Sequence, residues 1–365
     1  MPAPAFIGLA LVVVAAATAW VAAATAWAAG APAWAGPAGD RLERFREIAA
    51  ARLSIVEDTG GALDPASQAE MDGLLDGEVL DSLRVGGPFA SVEFIRDRLD
   101  AFAEVWGGAS LRIDPLGGGL LAGRFRLSAK GVSNSVRLYG SPKGKPALLR
   151  AWQEDGVPEV YPWAAPAGGG AEILVSWSGT ATGWGSWPLK LELWRVREGR
   201  VSAVWRSAER YPDGLWVSQV DIKPGRVLLR HEVRYPGWKP GCDVQAEQED
   251  RYRADPGGGL TLVSSRLFNG WHRELGRSAT RFFSALASGD RKALAELAPD
   301  VAVRARLPAG LLPEAACDAQ NPDTPGTAVV AAATPLPAGR RAPWSLWWSR
   351  GPSGWRLTGA ALVLQ

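Results

Sequence analysis

Histidine, cysteine and methionine are nearly missing from this chain of 365 residues, which has two of each. Two cysteines exclude a disulfide-dense scaffold and any Cys-rich zinc module. His231 and His272 are the only imidazoles, and neither a His-x3-His nor a Cys-x2-Cys spacing occurs. The usual zinc sets cannot be built, and no Asp-x-Asp-x-Asp-Gly loop is present to hold calcium. Neither a metal nor a cofactor is expected. An excess of one charge is lacking too: 40 Lys+Arg stand against 38 Asp+Glu. That balance excludes a strongly basic nucleic-acid binder and an acidic disordered tail. No Gly-x-Ser-x-Gly elbow exists, and Ser186 in Gly183-Trp-Gly-Ser-Trp187 is the nearest look-alike. Gly117-x-Gly119-x-x-Ala122 leads into strand-like residues, so no helix N-terminus waits for a pyrophosphate.

Charge is also missing from residues 1–39, and Phe6 to Ala29 is an almost unbroken apolar run. It ends at Ala33-Trp34-Ala35, the small-x-small pattern of a signal-peptidase site. The expectation is a signal peptide over 1–35, with the mature chain starting at Gly36 and exported to the periplasm or beyond. The alternative is an uncleaved anchor over 6–29, after which Arg41, Arg44 and Arg46 would hold the body on the cytoplasmic side. Cys242 and Cys317, an even pair in an exported chain, point to a disulfide. The alternative is two buried thiols.

Three blocks follow the leader. Residues 36–108 read as helical. Leu42, Phe45, Ile48, Ala49, Leu53 and Val56 recur at helical spacing. Gly60-Gly61 stops that helix and Asp64-Pro65 opens a second, with Met71, Leu74 and Leu75 inward. A third runs from about Ser91, burying Ile95, Leu99, Phe102 and Trp106. Residues 109–270 change to short strands between Gly/Pro turns, clearest over 172–178, 188–196, 200–207, 216–223, 226–235, 244–253 and 260–267. Short connections make them an antiparallel meander. A sandwich or a barrel-like form is expected, and the lack of a strict repeat disfavours a propeller fragment. Residues 271–365 open with two helices around Phe282, Phe283 and Leu286, then Leu294 and Leu297, with strands over 301–307, 326–333, 343–350 and 354–364. The fold class expected is α+β.

In the third block, the Phe-Phe-x-Ala-Leu-Ala-Ser-Gly-Asp290 opening and the late Trp355-x-Leu357 strand resemble the nuclear transport factor 2-like superfamily. The resemblance implies a curved sheet wrapped by helices around a conical apolar pocket. Its catalytic members use pocket Asp, His or Tyr. This block has no Tyr, and its one His, His272, is placed ahead of the first helix. The resemblance therefore implies a pocket or scaffold domain without a catalytic residue.

Two constellations remain. His231 alternates inward with Val227 and Leu229, and in the next strand Asp250 alternates inward with Gln248 and Tyr252. Matching the charged faces puts Arg234 near Glu249 or Glu247. A buried His231–Asp250 pair would suit acid–base chemistry, or would be a polar network that fixes strand register. The other constellation is aromatic. Of 18 Trp, Trp177, Trp184, Trp187 and Trp194 gather around the Ser/Thr/Gly loop that holds Ser186, and Trp238 sits in Pro236-Gly-Trp-Lys-Pro-Gly-Cys242. Trp177, Trp184, Ser186, Trp187 and Trp238 form a candidate ligand-stacking set; the bland alternative is core filling. The leading expectation is an exported, non-catalytic protein that binds a small molecule, a glycan or an envelope partner, with no nucleic acid. A hydrolase using His231 and Asp250, and a pure scaffold, are the alternatives.

Overall fold

The structure, a computed structural model, describes residues 38–59, 64–127, 134–163, 169–183, 185–239, 242, 245–317, 319–320 and 326–363. The expected leader and the Gly60-Gly61 stop lie outside them. No described helix is long and apolar enough to cross a membrane. The chain divides into two compact units, Met1–Arg112 and Ile113–Gln365.

The first unit holds helices Ala38–Thr59 (α1), Pro65–Val85 (α2) and Val92–Trp106 (α3). The Asp64 carboxylate accepts from the Ala66 and Ser67 amides at 3.0 Å, and the Ser91 hydroxyl accepts from Phe94 at 3.2 Å. These bonds satisfy amides that a helix start leaves orphaned. Ile95, Leu99, Phe102 and Trp106 are buried as their spacing requires, with Phe102 edge-on to Phe45 at 5.1 Å. α2 departs from a simple one-sided pattern: Gln68, Asp72, Asp76 and Glu78 are buried along with Met71, Leu74 and Leu75. Glu78 accepts from Arg98 at 2.6 Å and lies 3.6 Å from Arg41. Arg41 is itself buried and also pairs with Asp81. Paired charges can enter a core that unpaired ones cannot, and a hydropathy period does not register them.

Three four-stranded antiparallel meanders follow in succession, all but residues 110–112 of them within the second unit. The first is Ser110–Gly117 (β1), Leu120–Arg126 (β2), Asn134–Gly140 (β3) and Ala147–Gln153 (β4). The second is Val157–Trp163 (β5), Ala171–Ser178 (β6), Trp187–Arg197 (β7) and Arg200–Arg206 (β8), ending on the short helix Ser207–Arg210 (α4). The third is Trp216–Lys223 (β9), Arg226–Glu232 (β10), Glu247–Ala254 (β11) and Leu260–Phe268 (β12). β7 pairs with β8 along its C-terminal half and with β9 at Trp187 and Pro188. The second and third meanders thereby share one sheet in the order β12-β11-β10-β9-β7-β6-β5. That sheet has free ends at β5 and β12, so it does not close, and the barrel-like alternative is corrected.

Residues of the middle meander belong to two cores. Ile173, Val175, Trp177 and Val196 pack with Val136 and Leu138 of the first meander. Leu174, Leu191 and Leu193 pack with Val217, Val227, Leu229 and Tyr252 of the third. Burial on both faces explains the continuous apolar run Ile173-Leu174-Val175, where a half-exposed strand would alternate. Glu172, 3% exposed, accepts both Nε and Nη2 of Arg195, which also donates to the Gly257 carbonyl. Only glycine fits at 258: a Cβ there would lie 1.3 Å from Arg195 Nη2, on a backbone with φ +92°.

The C-terminal block has helices Gly270–Ser288 (α5), Arg291–Leu297 (α6) and Val301–Arg306 (α7). Strands Leu312–Pro313 (β13), Ala319–Gln320 (β14), Thr327–Pro335 (β15), Arg341–Gly351 (β16) and Gly354–Leu362 (β17) form an antiparallel sheet. Phe282, Phe283, Leu297, Leu346, Trp348 and Trp355 belong to its core. Two expectations are corrected. The strand expected over 301–307 is helix α7, because Asp300 caps the Ala302 and Val303 amides and outweighs two β-branched residues. His272 lies inside the first turn of α5 rather than ahead of it. The whole is α+β, with helices apart from large antiparallel sheets.

Candidate functional site

β10 and β11 pair with His231 opposite Gln248 and Leu229 opposite Asp250. Their inward faces bring the expected pair together: His231 Nε2 donates to Asp250 Oδ2 at 3.2 Å. The charged partner across this hairpin is Arg230, which pairs with Glu247 at 2.7 Å. Arg234 instead lies past the end of β10, donates to the Asp213 carbonyl at 3.3 Å and stacks on Trp238 and Trp216. The pairing puts Arg230 opposite Glu249, four residues before Arg234, and β10 ends at Glu232, so the expected match of Arg234 with Glu249 or Glu247 is corrected.

Asp250 has no exposure and a full set of donors. Its Oδ2 accepts from His231 and from Tyr211 at 2.7 Å, and its Oδ1 accepts from Ser265 at 2.6 Å and Gln248 at 2.9 Å. Burial by itself pushes this carboxyl up, but the four bonds reverse that and hold it well below the usual carboxylate range. Burial also raises the Tyr211 phenol, which bonds Tyr252 at 2.7 Å, and the Tyr252 phenol with it. The second nitrogen of His231, Nδ1, lies 3.2 Å from the Glu232 carbonyl. The Asp250 carboxylate is thus fully bonded, His231 Nε2 is bonded to it, and His231 Nδ1 faces a backbone carbonyl. Ser186 is buried, and its hydroxyl donates to Glu232 at 2.6 Å and not to His231. The cluster binds four segments of the third meander and its approach to one another. Ser265 was findable from sequence, since β11 and β12 set it directly opposite Asp250. Tyr211 was not, because it comes from the end of α4, where no register applies.

The aromatic set is dispersed. Trp177 is 1% exposed and belongs to the core between the first two meanders, so its ligand-stacking assignment is corrected. Trp194 is likewise buried, edge-on to Trp152. Trp187 is half-buried against the other core. Trp238 is half-buried, with Arg234 4.9 Å from its ring centre. Trp184 lies outside the described residues. Among the described residues Trp347 is the only Trp classed as exposed. A two-sheet core takes up large flat side chains, which is why Trp177 and Trp194 are buried. Among the described residues no group of three His, Cys, Asp or Glu side chains is placed to hold a metal ion.

The open space lies elsewhere, along α5. A cavity of about 470 Å³ has a floor of Leu275, Ala279, Phe283 and Val330, all buried. Thr280 and Ser284 of α5, with Pro313 at the end of β13, stand at its exposed rim. The loop after β10 supplies Gly237 and Lys239. That loop sits directly on the helix because both partners lack a side chain: a Cβ on Gly276 would lie 2.9 Å from the Tyr235 ring, and one on Gly237 3.2 Å from Gly276. Cys242 bonds Cys317, with Cα atoms 5.3 Å apart, and Lys239 Nζ donates to the Ala316 carbonyl at 2.7 Å. The disulfide and this hydrogen bond join the two chain segments that flank the cavity.

His272, stacked on Trp271 at 3.6 Å, is one turn from the cavity floor. Burial pushes its imidazole down to about 4 from the ordinary 6.5. Between those values the unfolded chain binds a proton that the folded chain refuses. Stability is therefore unaffected above pH 6.5 and falls as the pH drops toward 4, by up to about 3 kcal/mol. Urea unfolding from pH 7 to 4 is expected to show this slope and to lose it in His272→Phe. An unchanged slope in the variant would assign it to other groups.

No protein-family model matches the chain, and no curated protein matches it.

Proposed function

We propose that this is an exported, non-catalytic ligand-binding protein whose site is the cavity along α5. One observation carries the reading: a space of about 470 Å³ with a buried apolar floor and polar groups only at its edge. That is the usual make-up of a small-ligand site. The Cys242–Cys317 bond supports an oxidising compartment, in keeping with the leader expected over 1–35. The resemblance of 271–365 to nuclear transport factor 2-like proteins points the same way, since a pocket domain is what that resemblance implies. A glycan is a weaker choice of ligand, because sugar hydroxyls need dense hydrogen-bonding partners and the floor offers none. The hydrolase alternative has weaker support, because four donors occupy the Asp250 carboxylate and the Ser186 hydroxyl bonds Glu232 and not His231.

The test is titration of the oxidised protein with an apolar fluorescent dye, followed by calorimetry. Saturable binding is expected, weakened about tenfold or more, the equivalent of 1.4 kcal/mol, by Ser284→Trp at the exposed rim. No dye binding, or binding indifferent to Ser284→Trp, would remove the cavity as the site. Cell-wall glycan fragments are expected to give no response in the same assay.

A further inference from the structure

We infer that the outward face of the C-terminal sheet seats the protein on an anionic lipid surface, with Trp347 entering the headgroup region and arginines at either end of the face meeting lipid phosphates. The inference goes beyond the cavity reading and does not depend on it. Its first support is an open apolar face. Leu346, Trp348 and Leu357 point into the core with residues of α5, α6 and α7. The alternate residues of the same strands therefore point away from the helices. Register sets Val329 and Gly359 on either side of Trp347, and Ala331 and Ala361 on either side of Ser345. Farther along, the Val363 amide bonds the Pro343 carbonyl, and Leu312 lies opposite Ala333. None of these side chains carries a charge. Trp347 is 41% exposed, Val363 42% and Leu312 56%. The Trp347 ring rests against Gly359, where a Cβ would lie 3.2 Å from it. A contiguous apolar face of this kind is what an interaction site leaves open.

Charge is the second support, and it selects the occupant. From Thr324 to Gln365 the chain has four Arg and no Lys, Asp or Glu. Arg341 pairs with Glu314 at 2.9 Å and Arg350 with Glu274 at 2.7 Å. Among the described residues Arg340 and Arg356 form no ion pair, and both are exposed. Arg340 sits in the hairpin between β15 and β16, where its carbonyl accepts from the Leu336 amide. Arg356 is at the other end of the face, opposite Ser349 and so two residues beyond Trp347. An apolar middle between free guanidinium groups, with no acid in its strands, is complementary to anionic lipid. The middle enters the headgroup boundary while the guanidinium groups stay at the level of the phosphates. Trp suits that depth because its ring is apolar and its N–H is polar. A second copy of the chain is the other candidate occupant. It would bring an equally acid-free face and leave Arg340 and Arg356 of both copies unpaired, so charge favours the lipid.

The experiment is flotation of the exported, oxidised protein with phosphatidylcholine vesicles and with the same vesicles containing phosphatidylglycerol. Binding is expected on the anionic vesicles and not on the neutral ones, and added salt is expected to weaken it. Trp347→Ser is expected to lower the affinity about tenfold or more. Arg340→Gln and Arg356→Gln are expected to lower it about fivefold each. Val363→Asp probes the face with Trp347 left in place, and is expected to reduce binding as well. Val263→Ser, at an exposed apolar position on β12, is the control and is expected to change nothing. Circular dichroism checks that each variant is folded. Absence of binding to the anionic vesicles would overturn the inference. So would binding that ignores lipid charge, or that none of the substitutions on the face alters, since either places the contact elsewhere in the chain, residues 6–29 included. Sedimentation equilibrium tests the other occupant: a dimer that Trp347→Ser dissociates would assign the face to a second copy and overturn the lipid.

Discussion

Replacing Asp250 with Ala is expected to destabilise the protein by about 3 kcal/mol, since a donor left buried without its acceptor costs about 1–3 kcal/mol and several lose theirs at once. Four donors converge on this carboxylate, from His231, Tyr211, Ser265 and Gln248. Asp250 itself has no exposure and His231 is buried, whereas Tyr211 and Gln248 are half-buried and Ser265 is exposed. Asp250→Asn is expected to cost less. Its amide would face hydroxyls of Ser265 or Tyr211 that can rotate and accept, whereas Ala offers nothing. Urea midpoints with an unchanged m-value would report the loss. The acid limb follows from the same bonds. The folded carboxyl is held below the usual range, so its contribution is present above about pH 4 and is lost as the pH falls through the lowered folded value. If Asp250→Ala unfolded at the wild-type midpoint, the network would not be structural and a chemical role for His231 would have to be reopened.

Loss of the disulfide is expected to cost about 4 kcal/mol. The bond closes a loop of 75 residues, and chain entropy for a loop of that length gives a value of this size. The loop contains β11, β12 and α5 to α7, so its removal frees the unfolded chain over about half of the C-terminal block. Cys242→Ala/Cys317→Ala is the cleaner test, since reduction leaves two thiols free to pair again. A shift below about 1 kcal/mol would mean that the unfolded chain is already compact over this span. The two losses are expected to add within experimental error, because Asp250 and the disulfide share no partner.

Much of the first helical block could be read directly. The cap at Asp64, the helix start near Ser91 and the row Ile95, Leu99, Phe102 and Trp106 are local chemistry at short spacing, and all stand in the structure. The strand alternation of His231 and Asp250 was readable for the same reason. Three features were not. The sequence of α7 reads as a strand because Val301 and Val303 carry β-branched weight that one cap outweighs. The buried charges of α2 escaped because a hydropathy pattern scores Asp72, Asp76 and Glu78 as surface. The cavity escaped because its lining comes from α5, from the loop before Cys242 and from Pro313, segments far apart in the chain.

By itself the sequence determined that zinc sets and phosphate loops are absent, that helices precede and follow a run of antiparallel strands, and that one inward His and one inward Asp share a hairpin. These are properties of neighbours a few residues apart, where backbone geometry leaves little choice. Which Trp faces water, whether the cysteines meet, how many donors converge on Asp250 and where open space remains were decided only by tertiary packing. Stacked meanders bury both faces of β6, and so turn Trp177 from a candidate ligand platform into core. Loop 235–239 rests on α5 only because Gly237 and Gly276 meet there. Such outcomes depend on contacts between segments tens of residues apart, and a pattern read along the chain contains no term for them.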